Sequence, residues 1–138
     1  MKRTLLMTLM LVFTLGLMAQ NTAPQAGQGK KPAQIKFDKT THDFGDFSEK
    51  NPVQTYNFTF TNIGDEPLVI NQALAACGCT VPKYTKEPIL PGEKGEIKVT
   101  YNGEGQWPGH IRKSVTVYCN GEVPMTRLYI TGNLKKAE

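Results

Sequence analysis

The sequence predicts an all-β fold, a seven-stranded antiparallel β-sandwich behind an N-terminal signal peptide. Three observations point there. From Ile35 onward, short runs of β-branched and aromatic residues alternate with polar ones, the period-two pattern of a half-buried strand. Gly, Pro and Asn interrupt these runs at short intervals, as turns require. No apolar pattern of 3.6-residue period outlasts two turns, so no amphipathic helix is expected. Strands with one apolar face must hide those faces from water. Two antiparallel sheets packed face to face do so within about a hundred residues.

The chain of 138 residues is long enough for one domain. It opens on Lys2 and Arg3, followed by an apolar run from Leu5 to Leu17 broken only by Thr8, Thr14 and Gly16, then the small Ala19. This three-part pattern reads as a signal peptide over residues 1–19. The run is shorter than the roughly 17–25 apolar residues of a membrane span, so no transmembrane helix is expected once it is removed. No Cys follows the cut, so a lipid anchor is not indicated. Loss of Lys2 and Arg3 leaves 14 basic against 12 acidic residues, a net charge of +2. The lysines are scattered, which argues against a nucleic-acid partner. Residues 20–34 contain no large apolar side chain and read as a flexible linker.

The expected strands follow in order. The first is Ile35–Phe37, resuming at His42–Phe47, with Gly45 suited to a kink. Val53–Asn62 points Tyr56, Phe58 and Phe60 to one side. Ile63 to Pro67 is a turn, then Leu68–Ala73 places Leu68 and Ile70 inward. A short strand is expected in Val81–Thr85. Gly95–Tyr101 turns Ile97, Val99 and Tyr101 inward, and Ile111–Cys119 does the same with Ile111, Val115 and Val117. Asn120-Gly121 signals a tight hairpin, because both residues tolerate positive φ. Thr126–Gly132 completes the set, and residues 135–138 are a tail. The only Trp lies in a loop, and no cysteine pair is spaced to staple the Val53–Asn62 and Ile111–Cys119 strands, so an antibody-type domain is not expected.

His42-Asp43-Phe44-Gly45, Phe58-x-Phe60-x-Asn62-x-Gly64-x-x-Pro67-Leu68, Cys77-Gly78-Cys79-Thr80, Pro91-Gly92-x-x-Gly95 and Val117-Tyr118-x-Asn120 together resemble the bacterial DUF1573 family. The resemblance covers residues 35–134. It implies an immunoglobulin-like β-sandwich, akin to the PapD-like, Hydin-type and major sperm protein domains, in a periplasmic or secreted protein. It implies no particular activity and no cofactor. Cys77 and Cys79 fall on the family's pattern, whereas Cys119 departs from it.

The residues that invite chemistry are few. No GxSxG, phosphate loop or HExxH occurs, and His42 and Asp43, adjacent on a strand, face opposite ways. Export implies an oxidising compartment, where cysteines tend to pair. With three of them, at least one stays out of any intramolecular bridge. Cys77 and Cys79, one residue apart, can close a small disulfide across Gly78, whose backbone is permissive. They can also hold a soft metal such as Cu(I) or Zn²⁺, or serve only to shape the turn. Strand reversal places their turn at the same end as the loop bearing Trp107 and His110. There His110 is either a metal ligand or thiol-activating group, or a loop histidine without special role. Trp107 is expected to cap the core, the alternative being an exposed anchor. Cys119 falls at the opposite end, about 30 Å along its strand. Since a disulfide needs Cα atoms within about 7 Å, Cys119 is expected free and buried. The sequence as a whole reads as an exported, non-enzymatic binding or adaptor module. Its partner is expected to be another protein, met through loops or edge strands (the first, the last and the short Val81–Thr85 run). The alternative function is thiol redox or copper handling at the Cys-Gly-Cys turn.

Overall fold

The computed structural model describes residues 29–138, so the expected signal peptide and residues 20–28 of the expected linker lie outside the described residues. Eight strands follow in chain order: β1 (Ile35–Phe37), β2 (Thr41–Ser48), β3 (Val53–Asn62), β4 (Ile70–Ala75), β5 (Thr80–Tyr84), β6 (Lys94–Asn102), β7 (Gly109–Cys119) and β8 (Met125–Lys135). They form two four-stranded sheets, ordered β1–β3–β6–β5 and β2–β8–β7–β4.

The count is eight rather than seven because the expected first strand divides between the sheets. β1 pairs antiparallel with β3, and β2 pairs with β8 in parallel. The chain changes sheets at the polar Asp38–Thr40 break without reversing, so it meets β8 running the same way. One parallel pair therefore sits in an otherwise antiparallel sandwich. Within β2 the register shifts between Asp43 and Asp46. Gly45 sits there at φ 68°, a left-handed angle natural to glycine at a bulge. The Asp43 carboxylate accepts the Gly45 N–H at 2.9 Å.

The apolar faces meet as alternation requires. Phe58 and Phe60 of β3, and Ile97, Val99 and Tyr101 of β6, face Val115 and Val117 of β7 and Leu128, Ile130 and Leu134 of β8, all buried. Each such side chain contributes roughly 1.5–3 kcal/mol on burial, and this packing holds the sheets together. The Tyr101 hydroxyl is buried without a partner, and burial pushes its pKa up.

At one pole, fully buried Asn62 ties three segments together. Its Oδ1 accepts N–H groups of Gln34 and Gly64, at 3.3 and 3.0 Å. Its Nδ2 donates to the carbonyls of Glu66 and Ile89, at 2.8 and 2.9 Å. Ala33 is buried there, and its carbonyl accepts the Glu122 N–H at 2.8 Å. The carbonyls of Lys31 and Gln34 accept N–H groups of Asp65 and Ile63. Residues 31–34 of the expected linker are therefore bound to the sandwich.

Two local expectations are corrected at this pole. Leu68 lies outside β4 and exchanges two backbone bonds with Ile89, at 2.8 and 2.7 Å. Neither Asn120 nor Gly121 has positive φ, and a five-residue loop joins β7 to β8. Asn120 acts through its side chain instead, accepting the Val69 N–H at 2.8 Å and donating to the Pro67 carbonyl at 3.1 Å. At the C-terminal end, β8 runs one residue into the expected tail, to Lys135.

Candidate functional site

Cys77 and Cys79 sit where the chain leaves one sheet for the other. β4 ends with Ala75 opposite Val115, and the Ala76 N–H donates to the Ser114 carbonyl at 3.0 Å. β5 then begins with Thr80 opposite Tyr101. The Thr80 N–H closes the turn on the Cys77 carbonyl at 3.2 Å. The two sulfurs are bonded at 1.99 Å, with Cα atoms 5.4 Å apart. Gly78 adopts no left-handed φ, and an added Cβ would meet nothing within 4 Å. Its backbone freedom is therefore not what the turn uses.

The surroundings of the two sulfurs differ. Cys79 packs against the core. Cys77 lines a surface hollow of about 320 Å³ with Arg112, Lys113, Ser114 and Tyr129. The Arg112 guanidinium lies 4.5 Å from the centre of the Tyr129 ring. Buried Thr80 places its hydroxyl 3.7 Å from the Cys77 sulfur and 3.8 Å from that of Cys79.

His110 and Trp107 share this pole with the turn but do not join it. His110 is exposed and stands opposite Asn133. The β7 residue that meets the turn is Ser114, four positions and about 13 Å further along the strand. Trp107 is 92 % exposed and does not cap the core. A Cβ on Gly103 would lie 3.2 Å from the Tyr101 ring and 3.4 Å from Leu134, so these two side chains already close that end of the core. Trp107 instead walls an open cleft with Glu49, Glu104, Gln106 and Lys136. Cys119 stands opposite Ile70, at the other end of β4. It is free and buried, and its thiol donates to the Val123 carbonyl at 3.4 Å. Among the described residues, no three His, Cys, Asp or Glu side chains cluster to hold a metal ion, and no helix is long and apolar enough to cross a membrane.

His42 is absorbed by packing. It stacks on Tyr56 at 3.6 Å and 8°, with Phe44 edge-on at 4.9 Å. Burial, with Lys39 adding to it, holds its pKa below the usual histidine value, while Asp43 pulls the other way.

The sheet edges also differ from expectation. β8 lies inside its sheet, between β2 and β7, so the last strand offers no edge; the edges are β1, β5, β2 and β4. Edge strands are commonly blunted against stray pairing, and three of these are. β1 has three residues. β2 carries the Gly45 bulge, with Asp46 paired to Lys135 at 3.6 Å. On β5, Cys79 and Thr85 bond to β6, so period two turns Thr80, Pro82 and Tyr84 outward. The Thr80 N–H is already used, and Pro82 has none. β4 is different. Ala76 bonds to β7, so the backbone groups of Ala73 and Ala75 point away from the sheet. Leu74 beside them is 46 % exposed. Only at Asn71 is this edge covered, where its carbonyl accepts the Tyr84 hydroxyl at 3.3 Å.

Two sheets with a strand that switches between them make this an immunoglobulin-like, PapD-like β-sandwich. Solved structures share that fold at low identity. One is a protein of unknown function from Porphyromonas gingivalis W83, with 16 % identity and a TM-score of 0.66, matching 75 % of this chain and 48 % of its own. Another is PapD-like domain 7 of human CEP192, with 10 % identity and a TM-score of 0.59, matching 78 % of this chain and 89 % of its own. The periplasmic chaperone SfaE gives 12 % identity and a TM-score of 0.52, matching 76 % of this chain and 59 % of its own. The chain thus spans about half the length of the Porphyromonas protein. No curated protein sequence matches it. The family model for DUF1573, described as a protein of unknown function, matches residues 35–134, and the chain belongs to that family.

Proposed function

We propose that the protein is an exported, non-enzymatic module that binds an extended segment of another protein along β4. The carrying observation is the contrast among the four edges: three are blunted, and β4 keeps the outward backbone groups of Ala73 and Ala75 beside an exposed Leu74. A strand added there would gain main-chain hydrogen bonds, with side-chain contacts setting its specificity. The fold shared with the periplasmic chaperone SfaE and the three-part pattern of residues 1–19 support export and protein binding.

A photo-crosslinking amino acid at position 74, compared with one at Asp43 on β2, tests this in cells. Cross-links to protein should concentrate at position 74, and Ala75→Pro, which removes an outward N–H, should abolish them. Equal cross-linking at both edges overturns the assignment.

A further inference from the structure

Beyond a binding role, we infer that the Cys77–Cys79 bridge is a thiol–disulfide exchange site. Cys77 is the sulfur that receives the incoming thiol, and Cys79 is the sulfur displaced. Exchange needs an open approach to one sulfur, is carried by the thiolate, and is favoured by nearby positive charge. Cys77 meets these conditions, because it lines the hollow with Arg112 and Lys113. Arg112 is steadied there by the Tyr129 ring beneath it. Cys79 packs against the core and does not line the hollow.

Thr80 supplies the second half of the site. Thr80 is buried, and its hydroxyl lies within reach of both sulfurs. One O–H can donate to whichever sulfur carries charge when the bridge opens, a charge-assisted bond stronger than a neutral one. Thr80 is a positioning residue in this scheme.

The place for a substrate is also visible. β4 turns away after Ala76, so the stretch His110–Lys113 of β7 is paired on one side only, with β8. Since Ser114 bonds toward β4, alternation turns the backbone groups of Arg112 and His110 to this open side. A cysteine carried on an extended peptide can pair there and present its sulfur to Cys77.

The chemistry balances with a thiol as the named co-reactant. The substrate thiolate attacks the Cys77 sulfur, forming a mixed disulfide and breaking the Cys77–Cys79 bond. Cys79 leaves as a thiolate and takes the Thr80 hydrogen bond. A second substrate thiolate attacks the substrate sulfur of the mixed disulfide. This gives the substrate disulfide and two reduced cysteines, and two electrons pass from the two substrate thiolates to the bridge.

The test mixes the folded, oxidised protein with reduced glutathione or with a cysteine-bearing peptide of alternating apolar and polar residues. Samples are quenched with acid and alkylated, and fragment masses locate the adduct. The adduct should sit on Cys77 over Cys79 by about tenfold or more. Given oxidised glutathione instead, Cys79→Ser, whose Cys77 is a free thiolate able to displace glutathione, should retain the adduct, and Cys77→Ser should form it far more slowly. Arg112→Ala with Lys113→Ala should slow the reaction several-fold at low salt and less at high salt. Thr80→Val should favour the closed bridge. If a variant fails to fold, the adduct position in the unaltered protein decides. Equal labelling of the two cysteines, or a bridge that opens only after unfolding, overturns the proposal. A peptide rate no greater than that of glutathione overturns the part assigned to the β7 edge.

Discussion

Asn62 shows how one polar side chain can govern a pole of an apolar sandwich. Its amide satisfies four backbone groups from three segments while fully buried. Asn62→Ala would orphan the Gln34 and Gly64 N–H groups and the Glu66 carbonyl, while the Ile89 carbonyl keeps the Leu68 N–H, and each buried orphan costs roughly 1–3 kcal/mol before relaxation. A net loss of about 3 kcal/mol is expected, readable as a shifted urea midpoint with little change in slope. The family-like spacing around Asn62 and Gly64 was legible in the sequence, but the four partners were not, since they come from positions 34 to 89. His42 makes a pH-dependent contribution. Its folded pKa is lowered by burial and by Lys39, so the unfolded chain protonates first as pH falls. The stabilising contribution is fully present above the unfolded value of about 6.5 and is lost as pH falls through the folded value. Melting temperature should therefore drop between pH 7.5 and 5 by more in the natural protein than in His42→Phe, which keeps the ring stack but cannot titrate. Equal drops would show that His42 is uncoupled from folding.

At the level of elements, alternation located most strands within two residues of their ends, because the burial pattern of a sandwich strand is written locally. Pairing was not written locally. The division of β1 from β2, and the parallel match of β2 to β8, depend on where the polar Asp38–Thr40 break lets the chain cross. The N-terminal segment is likewise placed by a distant glycine. A Cβ on Gly64 would lie 2.1 Å from the Pro32 carbonyl oxygen and 2.7 Å from the Gln34 nitrogen. Gly64→Ala must push Lys31–Gln34 off the pole, at a cost of roughly 1–3 kcal/mol. Hydrogen exchange of the Glu122 amide, which bonds to the Ala33 carbonyl, should accelerate in this variant while exchange within β6 stays slow. Unchanged exchange at Glu122 would contradict the docked segment. The segment looked like a tether because Pro, Gly and Gln carry little apolar area, and its attachment is by backbone hydrogen bonds that composition does not record.

Across the whole molecule, strand direction sets the chemistry of the sulfurs. Cys77 and Cys79 follow the end of β4, whereas Cys119 faces its start. A thiol-directed label should leave the native protein unmodified. It should add once after unfolding, at Cys119, and three times after unfolding with reductant. Labelling of the native protein at Cys119 would mean that this part of the core opens. Strand reversal and period two were legible, so the sequence alone determined the sandwich, the inward faces and the placement of the thiol doublet and Cys119 at opposite ends of β4. It did not determine their distance, since the turn meets β7 at Ser114, about 17 Å along the strand from Cys119 instead of about 30 Å. Only the tertiary structure decided which edges remain open, that Trp107 stands in solvent, and that Arg112 and Lys113 border Cys77 while His110 does not. The physical reason is range. Alternation and turn chemistry act over a few residues, whereas an edge or a charged hollow exists only once segments distant in the chain have packed side by side.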